Sequence, residues 1–207
     1  FNQFQNTSDG FKFFCKLLGD SSWCVMEYTG CYYQHLARYL FQHGFSLSVV
    51  NPLVIKRFVQ MKFQHNKTDK SDARLIARYG AEQELVPWTP NPDYIEQCKD
   101  LHNTVALYFK QTTALKNKIH SFESRGGSRL IVRSLTKQLK HLGDEIKKLE
   151  AQVEILIKEH ESEMLSNLLS IPGIGKKTAM LLIASSNAFR LFVNSGQLSA
   201  FYALIQQ

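Results

Sequence analysis

The rhythm of apolar and polar positions changes partway along this chain. Phe1 to Gln5 alternates in the manner of a half-buried strand. Asn6-Thr7-Ser8-Asp9 offers caps for a helix over roughly 9–18, with Phe11, Phe14, Cys15 and Leu18 on one face. Gly19-Asp20-Ser21 breaks it, and Trp23-Cys24-Val25-Met26 follows as a nearly continuous apolar run ending at Glu27. Such a run is the pattern of a central strand buried on both faces. A helix over about 31–43 closes at Gly44, Phe45 to Val50 makes the next strand, and Asn51-Pro52 opens another helix. Strand, helix, strand, helix with short connections predicts an α/β layer with parallel strands. One more helix follows Asp69, with Ala73, Ile76 and Ala77 on a common face and Gly80 as its stop.

From about residue 93 the spacing switches to alternating fours and threes. Leu101, Val105, Tyr108, Thr112, Leu115, Ile119 and Phe122 form one seam, and Leu135, Leu139, Leu142, Ile146, Leu149, Val153 and Leu156 form a second. Between them lies the turn signal Glu123-Ser124-Arg125-Gly126-Gly127-Ser128. Two seams of equal length around a Gly-Gly turn predict an antiparallel coiled-coil hairpin, closed on itself or on a second copy. Next comes Leu168-Leu169-Ser170-Ile171-Pro172-Gly173-Ile174-Gly175-Lys176-Lys177-Thr178-Ala179. A helix, a Gly-x-Gly turn and a second helix entered through Lys-Lys-Thr is a helix-hairpin-helix arrangement, or else an ordinary tight turn. In the first case Gly173 and Gly175 let the backbone approach a phosphate, the amides up to Thr178 donate to it, and Lys176 and Lys177 add charge. The expected segments are therefore 1–92 (α/β), 93–165 (helical hairpin) and 166–207 (helical).

Charge sharpens this division. The net charge is +7, but residues 166–207 carry three basic residues and no acid, and 110–140 carries eight basic residues, Arg125 and Arg129 among them, against Glu123 alone. Residues 141–165 carry seven acids against three lysines. The basic stretch surrounds the hairpin tip, where a solvated face and a nucleic-acid contact stand as the two readings. Cys15, Cys24, Cys31 and Cys98 show no CxxC pairing and no histidine at ligand spacing, which argues against structural zinc and a disulfide framework. Reduced thiols, the lack of a signal peptide and the lack of a membrane-length apolar run predict a cytoplasmic chain. The opening Phe1-Asn2-Gln3-Phe4 reads as the middle of a strand, so a piece of a longer protein is expected.

The candidate chemistry is carboxylate. Asp69 and Asp72 stand three apart at a helix start, on one side of the first turn, where the helix dipole favours negative charge. They suit a hard divalent cation, or an N-capping aspartate with a second acid complementing the dipole. Glu27 ends a buried strand, at the edge where open α/β sheets place ligands. A carboxylate there needs a compensating partner: a metal ion, or a salt bridge to Lys67 or Arg74.

Taken together, Met26-Glu27-Tyr28-Thr29-Gly30, Val49-Val50-Asn51-Pro52, Lys67-Thr68-Asp69-Lys70-Ser71-Asp72-Ala73 and Ile171-Pro172-Gly173-Ile174-Gly175 resemble, in order and spacing, the DEDD-type insertion-sequence transposases. That family includes the pilin-gene-inverting and the bridge-RNA-guided recombinases. The resemblance implies an RNase H-like (RuvC-like) domain over 1–92 lacking its first strands, the coiled-coil hairpin over 93–165, and the start of a transposase domain over 166–207. It implies a DNA transposase or site-specific recombinase acting by metal-dependent phosphoryl transfer, with Mg2+ (or Mn2+) held by Glu27, Asp69 and Asp72. The family's first aspartate precedes this sequence. Its serine nucleophile lies beyond Gln197-Leu198-Ser199-Ala200-Phe201-Tyr202, so neither Ser195 nor Ser199 takes that role. Implied partners are DNA, a guide (bridge) RNA and a second copy through the coiled coil, in the nucleoid-associated cytoplasm of a bacterium, with the piece alone inactive. Two other readings stand beside it: an RNase H-like junction nuclease using the same acids without a serine, and an inactive nucleic-acid-binding, dimerising remnant.

Overall fold

Eight helices and two strands are formed by the residues that the computed structural model describes: 2–19, 21–30, 32–62, 68–190 and 192–205, with side chains as far as 200. They divide into two compact units, Phe1–Pro90 and Asn91–Gln207.

In the first unit, β1 (Trp23–Glu27) and β2 (Ser46–Val50) pair in parallel, Trp23 against Ser46 through Glu27 against Val50. Helix α2 (Tyr32–Gln42) makes the crossover between them. Cys24, Ala37, Leu40 and Leu47 are buried together, with Phe14, Met26, Leu36, Val49 and Trp88 packed around them. Full burial of an aliphatic side chain contributes about 1.5–3 kcal/mol, so these few positions account for much of the unit's cohesion. The Ser48 hydroxyl accepts from the Trp23 indole N–H at 3.0 Å and donates to the Val86 carbonyl at 2.6 Å. With the Trp88 N–H donating to the Leu47 carbonyl, this draws the 86–88 segment along β2.

Three expectations change here. Strand β1 is not buried on both faces: Cys24 is enclosed, but Trp23 is 43% exposed and, among the described residues, β1 pairs on one side only. Residues 2–5 form no strand; the Gln5 carbonyl instead accepts from the Thr7 N–H as the chain turns into α1 (Ser8–Cys15). Phe1 and Cys31, the expected starts of a strand and a helix, lie outside the described residues. Helix α3 (Pro52–Met61) opens on an Asn51 cap as its sequence suggests. Helix α4 (Asp69–Glu82) runs straight through Gly80. A Cβ there would meet Val25 Cγ2 at 2.6 Å, so this glycine marks close packing of α4 on β1 and not a helix end.

In the second unit, α5 (Asp93–Ser124) and α6 (Arg129–Leu169) pack as an antiparallel hairpin joined by four residues. Every position of both seams is buried or half-buried: fully at Val105, Thr112, Ile146 and Val153, half at the tip. Thr112 satisfies its hydroxyl on the Phe109 carbonyl at 2.8 Å and so sits among apolar neighbours without an orphaned group. The turn is a Schellman motif: the Gly127 N–H reaches the Phe122 carbonyl at 2.7 Å, the Gly126 N–H reaches that of Glu123 at 3.2 Å, and Gly126 takes φ +62°.

The hairpin base carries the unit's core of Ile95, Cys98, Val153, Ile157, Leu165, Ala179, Met180 and Ile183, closed by α7 (Lys176–Ser185). After α7, Asn187, Ala188 and Phe189 all take left-handed backbone angles, held by the Ser186 hydroxyl accepting from the Phe189 N–H at 3.0 Å. Arg190 then pairs at 2.6 Å with Glu161, which is only 9% exposed and breaks the regular geometry of α6. Tyr94 donates to the same carboxylate. Helix α8 (Ser195–Ile205) ends the described chain. Among the described residues, no helix is long and apolar enough to cross a membrane.

Candidate metal centre and nucleic-acid interface

Glu27 is the last residue of β1 and is half-buried. It lines a cavity of about 520 Å³ with Val25, Met26, Thr29, Tyr33, Leu36 and, from α4, Ala73 and Ile76. The packing of α4 on β1 that Gly80 permits brings the first turn of α4 toward this end of the strand. Asp69 and Asp72 stand in that turn, exposed.

The cap of α4 is Thr68, whose hydroxyl accepts from the Ser71 N–H at 3.2 Å, while the Ser71 hydroxyl accepts from the Thr68 N–H at 3.0 Å. This reciprocal capping box does the work that the sequence alone would give to an aspartate. Asp69 and Asp72 are left to complement the dipole only. None of Glu27, Asp69 and Asp72 makes a side-chain hydrogen bond or ion pair with a described residue, so the salt bridge from Glu27 to Arg74 is not formed. Lys67, the other expected partner, lies outside the described residues.

The donor set suits a hard cation, being all carboxylate and uncommitted. The positions are less close: among the described residues, no three His, Cys, Asp or Glu side chains gather tightly enough to hold a metal ion.

The second candidate site begins with a β-turn. The Ile174 N–H donates to the Ile171 carbonyl at 3.1 Å, with Pro172 and Gly173 (φ +91°) between them, the residue order that a type II turn requires. Gly175 is the N-cap of α7 and offers no side-chain cap, and among the described residues no side chain satisfies the first-turn amides. The two lysines behave differently from the sequence reading. Lys176 reaches Glu154 at 2.5 Å and Lys177 reaches Glu150 at 2.6 Å, both across to α6. Glu154 is shared with Lys158, and the Lys158 and Lys176 ammoniums together hold its carboxyl below the ordinary range. The free charge expected at this turn is therefore largely neutralised. Thr178 and Lys177 line a cavity of about 390 Å³ with His102, Phe109, Glu150, Val153 and Leu181.

Glu150 and Glu154 were not singled out by the sequence. Their spacing of four places both on one face of α6. That pattern is readable, but only the fold shows that α7 lies opposite. The third group comprises Arg125 and Arg129 at the hairpin turn. Both are exposed, and the Arg125 guanidinium lies 4.3 Å from the Phe122 ring centroid.

Comparison with known proteins agrees with these motifs. A family described as "Transposase", the DEDD transposases of the IS110 type, matches residues 1–122. The pilin gene-inverting protein of Moraxella bovis is 32% identical over 187 residues, covering 87% of this chain and 55% of that protein. The pilin gene-inverting protein of Moraxella lacunata is 33% identical over 173 residues, covering 80% and 52%. The transposase for insertion sequence element IS1328 of Yersinia enterocolitica is 24% identical over 207 residues, covering 88% and 60%. The chain thus spans about half the length of the relatives it matches. With more than half of its own residues matched by the family, the chain belongs to the DEDD transposases of the IS110 type.

Proposed function

We propose that this chain is part of a DNA transposase or site-specific recombinase whose metal-binding carboxylates include Glu27, Asp69 and Asp72. The observation that carries the reading is a half-buried Glu27 at the end of β1 whose side chain pairs with no described residue. It lines one cavity with Ala73, the neighbour of Asp72 on α4. A half-buried carboxylate without a protein partner is costly to desolvate, and a cation would offset that cost. In the whole protein these residues would hold Mg2+ or Mn2+, which stabilises charge on a phosphodiester undergoing displacement. Their own contribution is negative charge at a fixed edge of the sheet, with α4 anchored by its capping box.

In this reading residues 1–92 are an RNase H-like domain, 93–165 a coiled-coil hairpin, and 166–207 the start of a transposase domain containing a helix-hairpin-helix. The serine nucleophile lies outside the chain, and the isolated piece does not exchange strands. DNA is the substrate. Gly173, Gly175 and Thr178 supply backbone amides to a phosphate, Lys176 and Lys177 join once released from Glu154 and Glu150, and Arg125 and Arg129 contact nucleic acid at the hairpin. A guide RNA and a second copy through the hairpin are the remaining partners, in a bacterial cytoplasm.

The test is thermal melting of the chain with and without millimolar Mn2+. A metal at ten times its dissociation constant stabilises by about 1.4 kcal/mol, which raises the melting temperature by several degrees. Asp69→Asn combined with Asp72→Asn should abolish the rise, while lowering the metal-free melting point only by the loss of dipole complement, about 0.3–1 kcal/mol per charge. No rise in the parent chain would assign the acids to structure alone.

A further inference from the structure

Ionic pairing divides the second unit sharply. At the hairpin base, Lys148, Lys158, Lys176, Lys177 and Arg190 each lie 2.5–2.7 Å from a glutamate oxygen. Toward the tip, Lys110, Lys116, Lys118, Arg125, Arg129, Arg133, Lys137 and Lys140 are all exposed, and none has an ion-pair partner among the described residues. Glu123 is the one acid in that stretch. Eight unpaired cations on two adjoining helix ends repel one another, and an unpaired cation cluster is the electrostatic footprint of a polyanion site.

The geometry narrows the polyanion. The Schellman turn fixes the path of the backbone at Arg125, and Gly127 lies so close to Phe122 that a Cβ would meet its ring carbon at 2.7 Å. The tip is therefore built to hold its charges in place. Phe122 is the one Phe, Tyr or Trp between 110 and 140, and its ring is already faced by Arg125 at 4.3 Å and Lys118 at 5.3 Å. Proteins that hold single strands stack bases on arrays of open aromatic rings, and this tip offers no open Phe, Tyr or Trp and a single exposed imidazole, His120. Charge without stacking suits the phosphates of a duplex, which present about one negative charge per 1.7 Å of axis.

We propose that the hairpin tip, from Lys118 through Arg125 and Arg129 to Arg133, is a sequence-independent docking surface for the backbone of a double-stranded nucleic acid. It is also the chain's main electrostatic contact, ahead of the α7 turn. The inference rests on the reading of the chain as part of a nucleic-acid-binding transposase, and adds to it the form of the ligand, the extent of the surface and its rank ahead of the α7 turn.

The experiment is fluorescence anisotropy of the full chain with labelled duplex DNA, duplex RNA and oligo(dT), each over a salt series. Two variants are compared with the parent: Lys118→Gln, Arg125→Gln, Arg129→Gln, Arg133→Gln combined, and Lys176→Gln with Lys177→Gln. The four tip positions are exposed, and an unchanged circular dichroism spectrum establishes that the tip variant folds. Each lost phosphate contact lowers the salt slope by about 0.9, so the tip variant, lacking four cations, should lose up to about 3.6 units of slope and at least tenfold in duplex affinity. The α7 variant should lose much less, because its lysines are already paired. Duplex DNA and duplex RNA should both bind more tightly than oligo(dT), which supports backbone readout of a duplex. Tighter binding to oligo(dT) than to either duplex overturns the inference. Duplex binding that the tip variant leaves unchanged also overturns it, while the broader nucleic-acid reading stands. A parent chain that binds none of the three overturns both.

Discussion

At the scale of single residues, His102 is a side chain that burial perturbs with little compensation. Its Nε2 is buried and has no hydrogen-bond partner among the described residues. Burial pushes its pKa below the ordinary 6.5, and the neighbouring Glu150 carboxylate only partly opposes this. The unfolded chain therefore takes up the proton at a higher pH than the folded one. The stability this gives is fully present above about 6.5 and is lost as the pH falls from there through the folded value. Urea unfolding followed between about pH 7.5 and 5.5 should show stability dropping by up to about 1.4 kcal/mol per pH unit. His102→Leu should flatten that slope. The glutamates whose values are lowered by lysine or arginine (Glu82, Glu145 and Glu154) start from 4.5 and titrate below this window. An equal slope in the leucine variant would place the proton elsewhere. Cys98, fully enclosed and pushed up to about 11 by burial, should stay unmodified by a thiol reagent until the unit opens.

Among the elements, the helix carrying Asp69 and Asp72 depends on a residue that the sequence presents ambiguously. Gly80 is a stop signal by composition but an internal residue of α4, where β1 comes too near for a side chain. Gly80→Ala should destabilise the first unit by about 1–3 kcal/mol, the usual cost of overpacking. Adding Val25→Ala, which removes the atoms the new methyl would strike, should return part of that loss in thermal melting. A neutral Gly80→Ala would mean that α4 and β1 can separate freely. The two hairpin seams were legible because Leu101 to Phe122 and Leu135 to Leu156 repeat at a spacing only a helix produces. The strand ending at Glu27 was legible because four apolar residues stand in a row, but the run overstated its burial: only Cys24 is enclosed and Trp23 is 43% exposed. The neutralisation of Lys176 and Lys177 was not, since it depends on α7 lying against α6, far away in sequence. Phe1 to Gln5 had the alternation of a strand, but alternation records which faces suit burial and says nothing of a neighbour to bond with.

For the molecule as a whole, the hairpin seam sets an expectation about copies. Ile146, Val153 and Ile157 are enclosed at the base, whereas Leu115, Ile119, Leu135, Leu139 and Leu142 stay half-buried within one chain. Sedimentation of the chain at micromolar concentration should show a dimer, and Leu115→Lys with Leu139→Lys should return it to a monomer. A parent chain that sediments as a monomer would mean that one hairpin satisfies its own seam. The uneven ionic pairing of that hairpin has a kinetic consequence. Along α6, about 1.5 Å per residue puts the middle of the unpaired cations roughly 30 Å from the neutralised base. A body whose charge sits at one end turns as it diffuses in the field of a polyanion, so the charged end leads. Collisions would then arrive already oriented, and raising the salt would slow the encounter before it loosened the complex.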